Sequence, residues 1–428
     1  MKQYRFPGFL VAASLCVLSP FLHSDTIDRG GDNQEVDVQA LREWVNTKRQ
    51  VTVKEIGGNL SISAEVRTEF QATGETSNGI SQRGTGTLNP ITGTPNPSRG
   101  YDIAVNLMMD YRADMTWSSF KLEFDNDAGI ISGTTNRIKV SRAYFGARVF
   151  SGESFYADIE LGRRKLGAIF DSKVEFNSYF DGALAKYDQS FDRVGDFYVH
   201  LGTFIINENV DQYGYVGETG LMNIAGSGFY TKYSLIDWDT KDFHSKVVEQ
   251  RIFDFLVSQA TVGYKFYPAS FKKQVTIYLA GLYNSKAEKL KITDNKKANW
   301  GSYIGFSMGE LKRKGDWALD ANYQVLAAQC VPDFDVSGIG HGNVNDTLLY
   351  AEVKDRKPVK DKNGRLVATT NETSGGSGNY RGVCVTLDYL LTNNLNLQQQ
   401  WNQSLTLDHN IGPSRRFKQY EIEFIYGF

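Results

Sequence analysis

Cysteine and histidine are scarce, at three and five in 428 residues. Cys16 lies in the amino-terminal apolar stretch, which leaves Cys330 and Cys384; the later histidines are His200, His244, His341 and His409. Those four are scattered without metal-ligand spacing, and no motif supplies His200 with a serine for a Ser–His–acid arrangement. Gly226-Ser227-Gly228 has the composition of a turn rather than a nucleophile elbow. No catalytic residue, metal or cofactor is therefore expected. Past the first two dozen residues no run approaches the roughly 18 apolar residues of a membrane-crossing helix, and the mean hydropathy is −0.37. An excess of one charge is missing as well. The 47 basic and 49 acidic residues give a net charge of −2, which argues against a polyanionic partner such as nucleic acid.

Aromatic residues, by contrast, make up 13% of the chain, and glycine contributes 41 residues. Residues 1–24 read as a secretory signal peptide: Lys2 and Arg5 precede an apolar core from Phe9 to Leu18, and Leu22-His23-Ser24 offers a cleavage site. Cys16 sits inside that core behind Leu15, where a lipoprotein would need a small residue. Residues 25–56 form a separate segment. Val38, Leu41, Trp44 and Val45 fall near one helical face there, predicting a short amphipathic helix on the periplasmic side.

From Gly58 the period changes to two, so successive side chains point to opposite faces of an extended strand. Leu60, Ile62, Ala64, Val66, Thr68 and Phe70 alternate with Ser61, Ser63, Glu65, Arg67 and Glu69. About eleven such residues are what a tilted strand needs to cross a bilayer. The pattern recurs through Tyr101–Tyr111, Phe120–Phe124, Ala143–Val149, Phe155–Leu161 and onward to Tyr420, Ile422, Phe424, Tyr426 and Phe428. Short connections alternate with long ones at 71–100, 239–256, 285–298 and 329–380. Fourteen rows are clear. Parity, with both ends of the chain on one side, adds strands within 181–188 and 213–222 and predicts sixteen, with fourteen or eighteen as neighbouring counts. The fold expected over 57–428 is an all-β, antiparallel up-and-down transmembrane barrel. Charges opposite the apolar rows must face the lumen, because a charge on the lipid face costs several kcal/mol near the midplane.

The last residues, Lys418 to Phe428, resemble the carboxyl-terminal signature of Gram-negative outer-membrane β-barrels, in which a terminal Phe follows alternating hydrophobics. Over 58–428 the chain resembles a general or solute-selective porin. The start, VDVQALREWVNTKRQ followed by GGNLSISAEVR, is similar to chlamydial porins of the carbohydrate-selective type. The resemblance implies a water-filled channel in the cell outer membrane, in contact with lipid, passing small hydrophilic solutes, sugars among them. It also implies a homotrimer. An alternative is a plugged structural or adhesin-type barrel.

In porins the third outer loop folds inward and narrows the pore. By that resemblance Arg163 to Tyr179 would be the constriction loop, with Asp171 and Glu175 facing Arg142 and Arg148 across the lumen. Arg112, Arg163 and Arg164 would join the wall; the alternative is a loop lying over the rim. Trp117, Tyr144, Tyr198 and Phe204 are lumen aromatics able to stack on sugar faces. Finally, Cys330 ends one strand and Cys384 begins its neighbour. A disulfide between them is expected at the outer mouth, against unpaired thiols or partners on another chain.

Overall fold

A computed structural model describes residues 51–55, 58–84, 97–130, 133–208, 211–238, 254–269, 273–289, 295–342, 357–360, 366–370, 378–409 and 414–428. The signal peptide and the amphipathic helix expected before residue 51 lie outside them.

The alternating stretches form one antiparallel sheet of eighteen members. Two are short pieces, Val51–Glu55 and Ile80–Ser81; the other sixteen close into a barrel. In chain order these are β1 Gly58–Ser77, β2 Arg99–Ala113, β3 Thr116–Ile130, β4 Gly133–Ser151, β5 Phe155–Lys165, β6 Tyr179–Phe191, β7 Gly195–Asn207 and β8 Gln212–Met222. The second half is β9 Phe229–Asp237, β10 Leu256–Phe266, β11 Val275–Asn284, β12 Trp300–Gly309, β13 Trp317–Leu326, β14 Tyr380–Thr392, β15 Leu395–Thr406 and β16 Arg415–Gly427. The two strands added by parity are β6 and β8.

Each strand pairs with its sequence neighbour, and β16 closes on β1 from Glu65↔Gly427 to Ser77↔Arg415. Ala64 and Phe428 exchange backbone N–H···O bonds at 2.9 Å, so the terminal Phe is pinned into the seam. Below that point β16 leaves the edge of β1 free. Val51–Glu55 takes this edge, pairing Val51↔Ile62 through Glu55↔Gly58. This strand lies past the stretch expected to be helical; Val-Thr-Val is β-branched and alternating, and suits a strand.

Turns at one end are tight. Asp114 takes φ +46° in the two-residue link from β2 to β3, and Asn394 Nδ2 donates to the Gly427 carbonyl at 2.9 Å beneath the β14–β15 turn. Long connections gather at the other end, among them 166–178 and 327–379. The outward rows include Phe145, Leu201, Tyr215, Val262, Ile304 and Phe424, all exposed. The inward rows include Glu65, Asp158, Glu160, Glu218, Gln259, Asp320, Asn402 and Gln419, all buried. The alternation read in the sequence is therefore the division between an apolar exterior and a polar interior.

Candidate functional site

The lumen is divided by an inward-folded connection. Residues 166–178 open with a single 3-10 turn, Leu166–Ala168. The Ser172 hydroxyl then accepts hydrogen bonds from the backbone N–H of Val174 and Glu175 at 3.2 and 3.1 Å, a local turn of the kind serine favours. Gly167 N–H donates to the Phe176 carbonyl at 2.8 Å, which helps hold Phe176 at the unusual φ of +76°. A bulky residue adopts that conformation only where its surroundings fix it.

Polar groups anchor this loop to the wall of β8–β13. Asp171 pairs with Lys232 of β9 at 2.7 Å, and its carbonyl accepts from Gln259 Nε2 of β10 at 2.6 Å. Its backbone N–H donates to the Glu218 carboxylate of β8 at 3.3 Å. Lys173 reaches Asp320 of β13 at 2.9 Å and lies 5.0 Å from the centre of the Tyr278 ring. Burial disfavours the Asp171 carboxylate, but Lys232, backed by Lys173 and Lys265, outweighs it and holds its pKa below the usual carboxylate value.

A second connection packs on the first. Asp335 accepts from the backbone N–H of Phe176 and Ser178 at 3.1 and 3.0 Å. Ser337 N–H donates to the Val174 carbonyl at 3.1 Å, and its hydroxyl to the Glu175 carbonyl at 3.0 Å. The approach is so close that a Cβ on Gly338, whose φ is +60°, would stand 2.5 Å from the Lys173 carbonyl oxygen. Around these contacts Leu166, Phe170, Phe176, Phe204, Trp238, Tyr278, Tyr303, Val331, Val336, Ile339 and Tyr380 form one apolar cluster inside the barrel. Glu175 is 2% exposed, and neither of its carboxylate oxygens has a hydrogen-bond donor among the described residues. Burial, and after it the Asp335 carboxylate, push its pKa well above the ordinary value.

Across from this packed half, the wall of β16, β1, β2, β3 and β4 is less covered. Glu423 and Arg67 side chains are 13% and 19% exposed and paired at 3.2 Å. Glu123 is 20%, Asp125 36% and Lys139 44% exposed, with Lys139 pairing Glu123 at 2.6 Å. The water-accessible part of the lumen thus runs along these strands. Acidic Glu69, Asp102, Glu421 and Glu423 stand on its β16–β2 side, and Lys139 and Arg142, with the buried Lys121 and Arg164 beside them, on the β3–β5 side.

The expected site residues are distributed differently from the expectation. Arg142 and Arg164 do face the lumen: Arg142 donates to Ser119 Oγ at 3.3 Å, and Arg164 pairs with Glu160 at 2.7 Å over the Tyr144 ring. Arg148 makes a bidentate pair with Asp158 at 2.9 and 3.2 Å near the short-turn end. Arg112 is exposed in the lumen phase at that same end, one residue from the end of β2. Arg163 corrects the lumen assignment. It shares the outward phase of β5 with Ile159 and Leu161 and pairs with Asp181 at 2.6 Å on the exterior. Asp171 faces Lys232 rather than Arg142 or Arg148, and Glu175 faces Asp335, because the loop folds toward β8–β13.

Of the aromatics, Trp117 and Tyr144 stay partly exposed on the open wall. Tyr198 is buried and donates to Glu218 at 2.8 Å. Phe204 packs between Phe180 and Trp238, with ring centres 5.4 and 5.5 Å away. Neither is open to a solute. His200 is a polar wall residue 3.8 Å from Asp188.

The disulfide is not formed: Cys330 and Cys384 are both free and buried. Cys384 stands opposite Asn322, four residues below the Leu326↔Tyr380 pair that ends the ladder. Its sulfur accepts from Gln400 Nε2 at 3.6 Å. Cys330 lies four residues beyond Leu326 in the chain, and its sulfur sits beside Gly301, the ladder partner of Leu326. The adjacent rims expected from a meander are present, but the two thiols sit at different heights.

Sequence reasoning missed Lys232 and Asp320, although both are charged residues in the inward phase of an alternating row. Asp335, Ser337 and Gly338 carried no signal, because they lie in a long connection without periodicity. Among the described residues no group of three His, Cys, Asp or Glu side chains could hold a metal.

No family model and no curated protein sequence matches the chain. Among solved structures it is similar to Pseudomonas putida OprB in a high-pH structure, with 9% identity over 87% of this chain and 94% of that one, at a TM-score of 0.47. It is also similar to Salmonella typhi OmpF in complex with daunomycin, with 12% identity over 88% and 100%, at 0.45. The outer membrane channel DcaP of Acinetobacter baumannii gives 10% identity over 88% and 99%, at 0.43. The fold rests on the strand pairing itself.

Proposed function

We propose that this protein is a porin: an outer-membrane barrel whose water-filled lumen passes small hydrophilic solutes by passive diffusion, without catalysis. The observation that carries the reading is a closed sixteen-strand barrel with an apolar exterior and a charged inner wall still open to solvent along β16–β4. Sixteen strands enclose more interior than wall side chains alone can fill. Here the inward loops occupy one half and leave the other aqueous.

Sugars are the solute class favoured within that reading. The open wall carries both signs of charge, which opposes strong ion selectivity, and two partly exposed aromatics stand on it, Trp117 bonded to Glu160 and Tyr144 with Arg164 over its ring. A cleaved signal peptide and a homotrimer belong to the same proposal. The apolar cluster inside the barrel supports a second reading, a plugged structural barrel.

Planar-bilayer recording of the purified protein separates the two. Stepwise conductance supports the porin; a folded but silent barrel supports the plug. Liposome swelling tests the solute class. Sugars entering no faster than amino acids of equal size would remove the sugar preference.

A further inference from the structure

Cations on the outer surface of the barrel, at its long-loop rim, are of two kinds. Arg163 is held by Asp181 through two bonds of 2.6 and 2.8 Å, and Lys286 by Asp237 at 2.7 Å. Arg381 of β14, Arg416 and Lys418 of β16, and Arg99 of β2 differ. All four are exposed and fall in the outward phase of their strands, and none makes an ion pair or side-chain hydrogen bond among the described residues.

Strand register brings these four together. Arg381 lies opposite Leu405, and Leu405 opposite Arg416, so the two arginines stand at one height with a single strand between them. At about 4.8 Å per strand, that is a spacing of roughly 10 Å. Lys418 lies opposite Gly74, and Arg99 opposite Ala72. Between Lys418 and Arg99, therefore, β1 presents a methyl group and a bare backbone. A Cβ at Gly74 would meet nothing within 4 Å. The result is a notch walled by cations. Immediately toward the midplane lie Trp401, Tyr420 and the Phe70–Tyr101 pair, whose rings are 4.6 Å apart. Aromatic belts mark the level at which hydrocarbon gives way to headgroups.

We propose that this face is a binding site for the phosphate of an anionic membrane lipid, seated over Ala72 and Gly74 and held by Arg416, Lys418, Arg99 and Arg381. Guanidinium groups match phosphate oxygens with two parallel N–H donors, and lysine adds a point charge. Water can solvate these cations singly, but a lipid phosphate at the same height meets several at once while its acyl chains lie along Val66, Thr68 and the aromatic belt. The matched pairs Arg163–Asp181 and Lys286–Asp237 elsewhere on the rim give no such net attraction. The site requires that the barrel be in a membrane with this face turned to lipid, and it stands or falls independently of the channel reading.

Full-length protein in mixed micelles, titrated with phosphatidylglycerol and followed by native mass spectrometry, tests the proposal. Wild type should retain phosphatidylglycerol at least tenfold more tightly than the triple variant Arg381→Gln/Arg416→Gln/Lys418→Gln. Phosphatidylcholine and inorganic phosphate should bind neither protein measurably. Lys286→Gln, which removes a paired cation across the rim, should behave as wild type. Equal retention by wild type and the triple variant would overturn the site. So would an equal loss in Lys286→Gln, or inorganic phosphate binding as well as the lipid. The single variants Arg416→Gln and Arg99→Gln, each predicted to lose part of the affinity, decide the matter if the triple variant does not fold.

Discussion

Replacing Asp335 by alanine should undock the loop that divides the lumen. The Asp335 carboxylate receives the backbone N–H groups of Phe176 and Ser178 at 3.1 and 3.0 Å. Hydrogen bonds to a charged group contribute about 1.5–3 kcal/mol each, so losing both weakens the contact by about 3–6 kcal/mol. Relief of Glu175 from a neighbouring carboxylate offsets part of this. A net loss of about 3 kcal/mol changes the ratio of docked to undocked loop by roughly 10²-fold. In single-channel recordings Asp335→Ala should show larger and noisier conductance. Wild-type conductance and noise in a correctly folded Asp335→Ala barrel would refute the reasoning, and would leave the Asp171–Lys232 and Lys173–Asp320 pairs, the Ser337 bonds and the apolar cluster as the anchors. The same contact fixes a pH dependence. Burial raises both carboxyls, and the Asp335 charge raises Glu175 further. The docked state therefore keeps a proton that the undocked state releases near the ordinary glutamate value of about 4.3. Docking is strongest below that value and weakens as pH rises through the raised one. Noise should increase with pH in wild type and less steeply in Glu175→Gln, where only Asp335 keeps a value raised by burial; noise that falls as pH rises contradicts the sign.

Phe204→Ala would open a cavity between Phe180 and Trp238 and should cost about 3–5 kcal/mol, read as a lowered thermal midpoint of the barrel; an unchanged midpoint would mean the ring is not core. Cys330 and Cys384 are buried, with burial and then Glu175 raising the Cys330 thiol, so the native protein should resist maleimide. Both thiols should label after denaturation without reductant, and labelling that requires reductant would restore the bridge. Arg164→Gln removes a cation from the open wall and should move the reversal potential in a salt gradient toward cation preference; no movement would place Arg164 outside the ion path.

What the sequence determined by itself is the part of the molecule governed by local period. Leu60 to Phe70 alternate because one face meets an apolar surround and the other an aqueous one, and that requirement repeats in strand after strand. Facing and the closing role of the Tyr420–Phe428 stretch follow from it, as does the lumen position of Arg142; the count of sixteen needed parity as well as period, and Arg164 entered through the porin resemblance. Arg163 escaped because Arg163 and Arg164 are adjacent, so only one of them can face the lumen. The inward phase of Glu160 sends Arg163 outward, where Asp181 on the next strand neutralises it. Only the tertiary structure decided what fills the barrel. Whether Asp171 meets Lys232 or Arg142 depends on the direction in which a non-periodic loop folds, and that direction is set by contacts with Asp335 and Ser337, more than 150 residues away. Such partners leave no periodic trace in either segment. The failure of the Cys330–Cys384 bridge has the same origin: sequence placed the two residues on neighbouring strands, but their heights relative to the rim depend on register and on the path of the connection after Leu326.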